Sequence, residues 1–148
     1  MDFADLDLRT ASEEGSWLQL EHDGAKLFAK DGAPCRVLIR GMAADKVMTA
    51  AKTIERIDLA RRERLTRTAE KDVDAVLKKY QDDLIKAGDE LIIAAVSGWE
   101  NIIYSGKPLP FSDDNVLKIC GSGSLFVEQV RDAIMERKRL FTNAATDS

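Results

Sequence analysis

The chain has 148 residues, 45 % of them hydrophobic and 32 % charged, with a formal net charge of −4, which suits one domain with a real core and not two ordinary ones. No apolar run approaches the roughly 20 residues of a membrane span. The acidic start Met1-Asp2-Phe3-Ala4-Asp5 lacks the basic and apolar regions of a signal peptide, so a cytosolic protein is expected.

Residues 1–14 are acidic with scattered leucines; they read as a first turn of helix or a mobile arm, and no site is placed there. Trp17, Leu18 and Leu20 then precede His22-Asp23-Gly24, and Leu27 and Phe28 precede Lys30-Asp31-Gly32-Ala33-Pro34. Two Asp-Gly pairs between β-capable runs predict a meander over 16–41. Its third strand is Cys35-Arg36-Val37-Leu38-Ile39-Arg40, where polar and apolar residues alternate up to Gly41. So small a sheet needs a helix against its apolar face. His22, the only histidine, falls in the first turn and reads as exposed. Cys35 and Cys120 lack the close second cysteine of a metal knuckle or redox pair and read as reduced core residues.

A first helix is expected over 43–64, where Val47, Ala51, Ile54 and Ile57 recur at three- and four-residue steps and Met48 widens the stripe. Arg56, Arg61, Arg62, Arg64 and Arg67 crowd its end. Interleaved Glu55, Asp58 and Glu63, and the lack of aromatic neighbours, favour a solvated or protein-facing helix end over a nucleic-acid patch. Charge is uneven along the chain: residues 1–34 hold 3 basic and 8 acidic side chains and residues 35–67 hold 9 and 4, which implies an electrostatic match within or between chains. A second helix starts near Thr66 or Thr68 and runs to Ser97, with Leu77, Tyr80, Leu84, Ala87, Leu91 and Ala94 on one seam. That seam must meet another helix, from the monomer or from a partner. Gly88 inside it costs about 1 kcal/mol relative to alanine and marks close packing or a bend.

Gly98 reads as the residue that ends this helix, since glycine reaches the left-handed cap conformation freely. Trp99 anchors the turn, Ile102-Ile103-Tyr104 is a short β-prone run, Ser105-Gly106-Lys107-Pro108 has turn chemistry, and Pro110 holds Leu109 extended. Residues 98–111 therefore form an ordered connector. Ser112 starts a short helix over 112–120, with Asp113 and Asp114 at the positive end of its dipole. Gly121-Ser122-Gly123 is a hinge, because the Lys and Ser or Thr of a phosphate loop are missing. The last helix, over 124–141, places Val127, Val130, Ile134 and Phe141 on one face and Arg137, Lys138 and Arg139 in its final turns, and residues 142–148 read as a flexible tail. The expected class is α+β, mostly α: one domain over 1–148, with a small N-terminal antiparallel sheet of about three strands followed by four helices.

Gly98-Trp99-Glu100-Asn101, a glycine turn at Gly106, then Leu109-Pro110-Phe111-Ser112 and Asn115 resemble the carboxy-terminal signature of a family of tail assembly chaperones from long-tailed bacteriophages. The opening Glu14-Gly15-Ser16-Trp17-Leu18-Gln19-Leu20, an apolar and basic strand ending at Gly41 and a charged helix are similar to how those proteins begin. The resemblance spans residues 13–141; the break at 121–123 departs from it, since a family helix there runs more directly into the last one. It implies a chaperone that binds the long helical tape measure protein in the host bacterial cytoplasm, keeps it soluble and helps bring tail tube subunits to it.

No His-Glu-x-x-His, Gly-x-Ser-x-Gly, dinucleotide fingerprint or metal-ligand cluster occurs in the sequence, so neither an enzyme nor a cofactor is expected. An interaction protein remains. The contact surfaces expected are the seam residues Leu77, Leu84 and Leu91 and the basic end at Arg61, Arg62 and Arg64, whereas Gly98, Trp99, Glu100, Asn101, Pro110, Phe111, Ser112 and Asn115 read as architecture. Several copies along one client add avidity, so homo-oligomerisation or multimerisation driven by the client is expected, and neither nucleic acid nor membrane is. The rival reading is a structural virion component, a tail or head–tail joining protein.

Overall fold

The structure, a computed structural model, describes residues 2–136 and 139–140. Asp2 caps a 3-10 turn over Phe3–Leu6, and Asp7 caps helix α1 (Leu8–Glu14), accepting from the N–H groups of Arg9 and Thr10. The acidic start is thus a capped helix. Gly15 then turns the chain at φ 77, where a Cβ would lie 2.6 Å from the Ile39 carbonyl oxygen, so only glycine fits.

Strands β1 (Ser16–Gln19), β2 (Glu21–His22), β3 (Ala25–Lys26) and β4 (Arg36–Ile39) follow. The β2–β3 hairpin closes through Asp23 at φ 52 and Gly24 at φ 79, the two-residue turn that an Asp-Gly pair forms most readily. The main sheet is not the expected local meander. It is antiparallel in the order β1-β4-β5, and its third strand, β5 (Val96–Glu100), comes from far along the chain. The run at 25–28 supplies only β3 and a bridge from Phe28 to Pro34, with Leu27 bonded through its backbone to Leu20 and Cys35.

Helix α2 (Asp45–Thr66) begins two residues later than expected, its first N–H donating to the Glu13 carboxylate at 2.7 Å. A 3-10 turn (Glu70–Asp72) leads into α3 (Val73–Ala95). Gly98 is not the residue that ends α3. The helix stops at Ala95, Val96 is already extended at φ −80 and ψ 115, and Gly98 lies inside β5 opposite Leu38. The cause is tertiary: β4 offers a row of unpaired backbone groups, and Val96 and Trp99 favour the pleated conformation that satisfies them. Ser97 is the extra residue of a bulge between the pairs Leu38–Gly98 and Ile39–Val96.

The connector carries a second hairpin, β6 (Ile103–Tyr104) and β7 (Lys107–Pro108), turned by Ser105 at φ 51 and Gly106 at φ 78. Ser112 caps α4 (Asp113–Cys120), accepting from the Asn115 N–H at 3.2 Å. Residues 121–126 interrupt the helices, and α5 (Val127–Met135) starts three residues later and ends sooner than the 124–141 expectation, because Glu136 leaves the helix at φ −87 and ψ 101. Phe141, Arg137, Lys138 and the tail 142–148 lie outside the described residues. The class is α+β and mostly α, and among the described residues a fifth α-helix, α1, lies ahead of the sheet.

Leu18, Val37 and Ile39 from the sheet meet Val47 of α2, Ile92 and Ala95 of α3, Val116 of α4, and Val130 and Ile134 of α5 in one core. That core occupies one end of the α2–α3 pair. No described residue between positions 48 and 86 is fully buried. Two helices without a third layer always leave one side of their contact open, so the hairpin projects as an arm. At 22 residues α2 alone runs about 33 Å.

Candidate functional site

The motif residues around Trp99 are consumed by internal contacts. The indole N–H of Trp99 donates to the Leu109 carbonyl at 3.0 Å, and its ring meets Phe111 edge to face, with centroids 5.2 Å apart at 85°. Glu100 lies opposite Arg36 in the sheet and accepts from its Nε at 2.8 Å, while the Arg36 guanidinium stacks 4.3 Å over Trp17. Asn101, at φ 62, donates its amide to the Pro34 carbonyl at 2.9 Å. The Asn115 amide donates to the Pro110 carbonyl at 2.8 Å. This set ties β5, the connector and α4 together.

The open surface lies on α3. At 100° per residue, Leu77, Leu84 and Gly88 fall within about 40° of one another, and Ile85 and Ile92 share a second line beside them. Past Gly88 this face is covered. α3 packs on α4 and α5, Ile92 is wholly buried, and a Cβ on Gly88 would lie 3.3 Å from the guanidinium of Arg131. Gly88 therefore marks close packing, as its place in the pattern allowed. Toward Leu77 the same face is bare. Leu77 and Ile85 are 38 % and 43 % exposed.

A cavity of about 510 Å³ results, with Leu77, Leu84 and Ile85 as its floor, Gln81 beside them, and Arg61 of α2 and Arg131 of α5 on its flanks. Both flanking guanidiniums already have a carboxylate partner. Asp58 is shared between Arg61 at 2.5 Å and Arg62 at 2.7 Å, one carboxylate for two guanidiniums, and Arg131 has Glu128 at 3.5 Å.

Of the contact residues expected from sequence, Leu77, Leu84 and Arg61 come together in this groove. Leu91 does not join them; it packs against the core. Arg62 points away onto the exposed side of α2, and Arg64 lines a separate cavity at the arm's tip with Arg67, Lys79 and Tyr80. Gln81, Ile85 and Arg131 were not singled out in the sequence. Ile85 directly follows a seam leucine and could have been found by widening the stripe, whereas only packing of α5 on Gly88 brings Arg131 across.

Among the described residues no group of three or more His, Cys, Asp and Glu side chains is placed to hold a metal ion, and no helix is long and apolar enough to cross a membrane. Cys120 is buried and Cys35 half-buried, both as free thiols; burial pushes the Cys120 thiol up to about 12. Comparison with protein families, with curated proteins and with solved structures returns no match to this chain.

Proposed function

We propose that the chain is a tail assembly chaperone of a long-tailed bacteriophage, working in the host bacterial cytoplasm. It holds a helical stretch of the tape measure protein against the α3 groove, keeps that client soluble and helps bring tail tube subunits to it. One observation carries the reading: an apolar floor of Leu77, Leu84 and Ile85 stands open between two guanidiniums on a projecting helical arm. The resemblance of Gly98-Trp99-Glu100-Asn101 and Leu109-Pro110-Phe111-Ser112 to that chaperone family supports the identity of the client.

The physical task suits the surface. A long helical protein that has not yet assembled exposes apolar stripes, and such stripes aggregate unless covered. Leu77 and Leu84 stand two helical turns apart, about 10 Å, which matches the i and i+7 anchors of an amphipathic helix laid into a groove. No bond is made or broken, so no cofactor is needed.

Co-expression with the tape measure protein tests the proposal. The wild-type chain should raise the soluble fraction of the client, and a Leu77→Ser/Leu84→Ser variant should lose most of that effect while keeping its helix content. No gain in client solubility would overturn the proposal. Mass spectrometry of purified particles separates a chaperone, which is absent from them, from a structural tail or joining protein, which is present in fixed copy number.

A further inference from the structure

We propose that the tip of the α2–α3 arm is a second docking site, which takes a carboxylate-rich segment of a protein partner. A cavity of about 860 Å³ lies there, lined by Arg64 and Arg67 from the end of α2 and by Val76, Lys79 and Tyr80 of α3, with Asp72 at its edge. It shares no residue with the groove beside Leu77. At 100° per residue Val76 and Lys79 stand at least about 100° around α3 from Leu77, so tip and groove can be occupied independently.

The cations at the tip are not spent inside the molecule. The Thr66 and Thr68 hydroxyls donate to the Glu63 and Arg64 carbonyls at 2.7 and 2.6 Å. The backbone N–H groups of Arg67 and Thr68 donate to the Arg64 and Leu65 carbonyls at 3.1 and 3.3 Å. The last turn of α2 is thus closed without its guanidiniums. Asp58 is held by Arg61 and Arg62, and among the described residues no carboxylate comes within ion-pair distance of Arg64, Arg67 or Lys79. The dipole of α2 favours cations in its last turn, but it does not account for Lys79, which comes from the other helix. Nor can the acidic first quarter of the chain reach the tip. Arg9 pairs with Asp45 at 3.1 Å and holds α1 at the start of α2, and Arg64 lies nineteen residues further, about 28 Å along the axis.

A protein segment suits the tip better than a nucleic acid. Glu63, Glu70, Asp72 and Asp74 are set among the cations and would repel a strand that carries one negative charge per about 3.4 Å. A peptide can instead space its carboxylates to meet Arg64, Arg67 and Lys79 and lay an apolar side chain against Val76 and the Tyr80 ring. Residues 35–67 hold 9 basic and 4 acidic side chains and the rest of the chain 13 and 22, so an acidic partner is drawn to the arm and turned away from the body.

Fluorescence anisotropy of a labelled peptide of Glu and Gly with one central Leu, titrated with the full chain, tests the site. A peptide with Gln in place of Glu and a duplex oligonucleotide are run beside it, and circular dichroism checks folding. The Glu peptide should bind with a Kd on the order of 100 μM, and the Gln peptide about ten-fold more weakly or less tightly still. Arg64→Gln/Arg67→Gln should weaken binding of the Glu peptide about ten-fold, the worth of two exposed charge pairs near the strong end of their range. Lys52→Gln/Lys86→Gln removes as much charge from exposed positions elsewhere on the arm and should change affinity by less than about two-fold. Asp72 makes no side-chain cap to α3, so Asp72→Asn should leave the fold intact and tighten binding about two-fold. Raising salt from about 0.15 to about 1 M should remove most of the binding. The proposal is overturned if the Glu peptide does not bind the wild type at millimolar concentration, or if folded Arg64→Gln/Arg67→Gln binds as well as wild type. It is equally overturned if Asp72→Asn binds more weakly, or if the duplex binds more tightly than the Glu peptide.

Discussion

Truncating Trp99 to alanine tests whether the residues around it are architecture or a contact surface. The change removes the N–H···O bond to Leu109, worth about 0.5–1.5 kcal/mol net. It removes the edge-to-face contact with Phe111, worth about as much again. Packing of the half-buried ring against the core adds on the order of 1–2 kcal/mol. The expected loss is about 3–4 kcal/mol, within the usual range for truncating a large aromatic and a large part of the roughly 5–15 kcal/mol that holds a domain of this size folded. Trp99→Phe keeps most of the packing and should cost about 1 kcal/mol through the lost hydrogen bond. Urea unfolding followed by far-ultraviolet circular dichroism is the assay, because its signal does not depend on tryptophan fluorescence. A double-mutant cycle with Phe111→Ala should give a coupling of about 0.5–1.5 kcal/mol. If Trp99→Ala costs less than about 1 kcal/mol, or if the cycle is additive, this ring does not pin the connector. Loss of client binding at unchanged stability would make Trp99 a contact residue instead.

Three further outcomes follow from local geometry. Gly15→Ala should destabilise by about 1–3 kcal/mol, because at φ 77 the new Cβ would lie 2.6 Å from the Ile39 carbonyl oxygen and 2.9 Å from its carbon, backbone atoms held in the sheet; an unchanged urea midpoint would mean that this approach is not close. Asp7 is held below its ordinary value of 3.8, first by the Thr10 hydroxyl and then by the Thr10 and Arg9 backbone N–H groups, so its contribution is fully present above pH 3.8 and fades as pH falls through the lower folded-state value. Thermal melts of Asp7→Asn against wild type should therefore show a gap above pH 3.8 that closes in stronger acid, and a gap that widens there would refute the capping role. Cys120, its thiol pushed up to about 12 by burial, should resist alkylation near neutral pH until the chain unfolds. Half-buried Cys35 should label first although burial, and then the charge of Asp31, raise its thiol as well; equal rates would contradict the packing of α4.

The local signals in the chain survived folding where the deciding contacts are near in sequence. Ser112 caps α4 through the Asn115 N–H three residues on, and Asp23-Gly24 turns the β2–β3 hairpin by its own backbone preference. The heptad spacing of Leu77 and Leu84 put both on one face of one helix, as any α-helix of that sequence must. What failed was the assignment of Gly98 and of the third strand. Glycine after a long helical pattern is a fair cap, but the free edge of β4, some sixty residues upstream, competes for Val96–Glu100 and wins by pairing with four of its five residues around a bulge at Ser97. The groove was half legible for the same reason. Its floor follows from periodicity along α3, which the sequence by itself determined together with the caps, the tight turns and the mostly helical class. Which part of that stripe stays uncovered, and that Arg61 and Arg131 stand on either side of it, only the tertiary structure decided: exposure and flanking charge depend on where α5 meets α3 at Gly88, and a contact between helices distant in the chain leaves no periodic trace in either one.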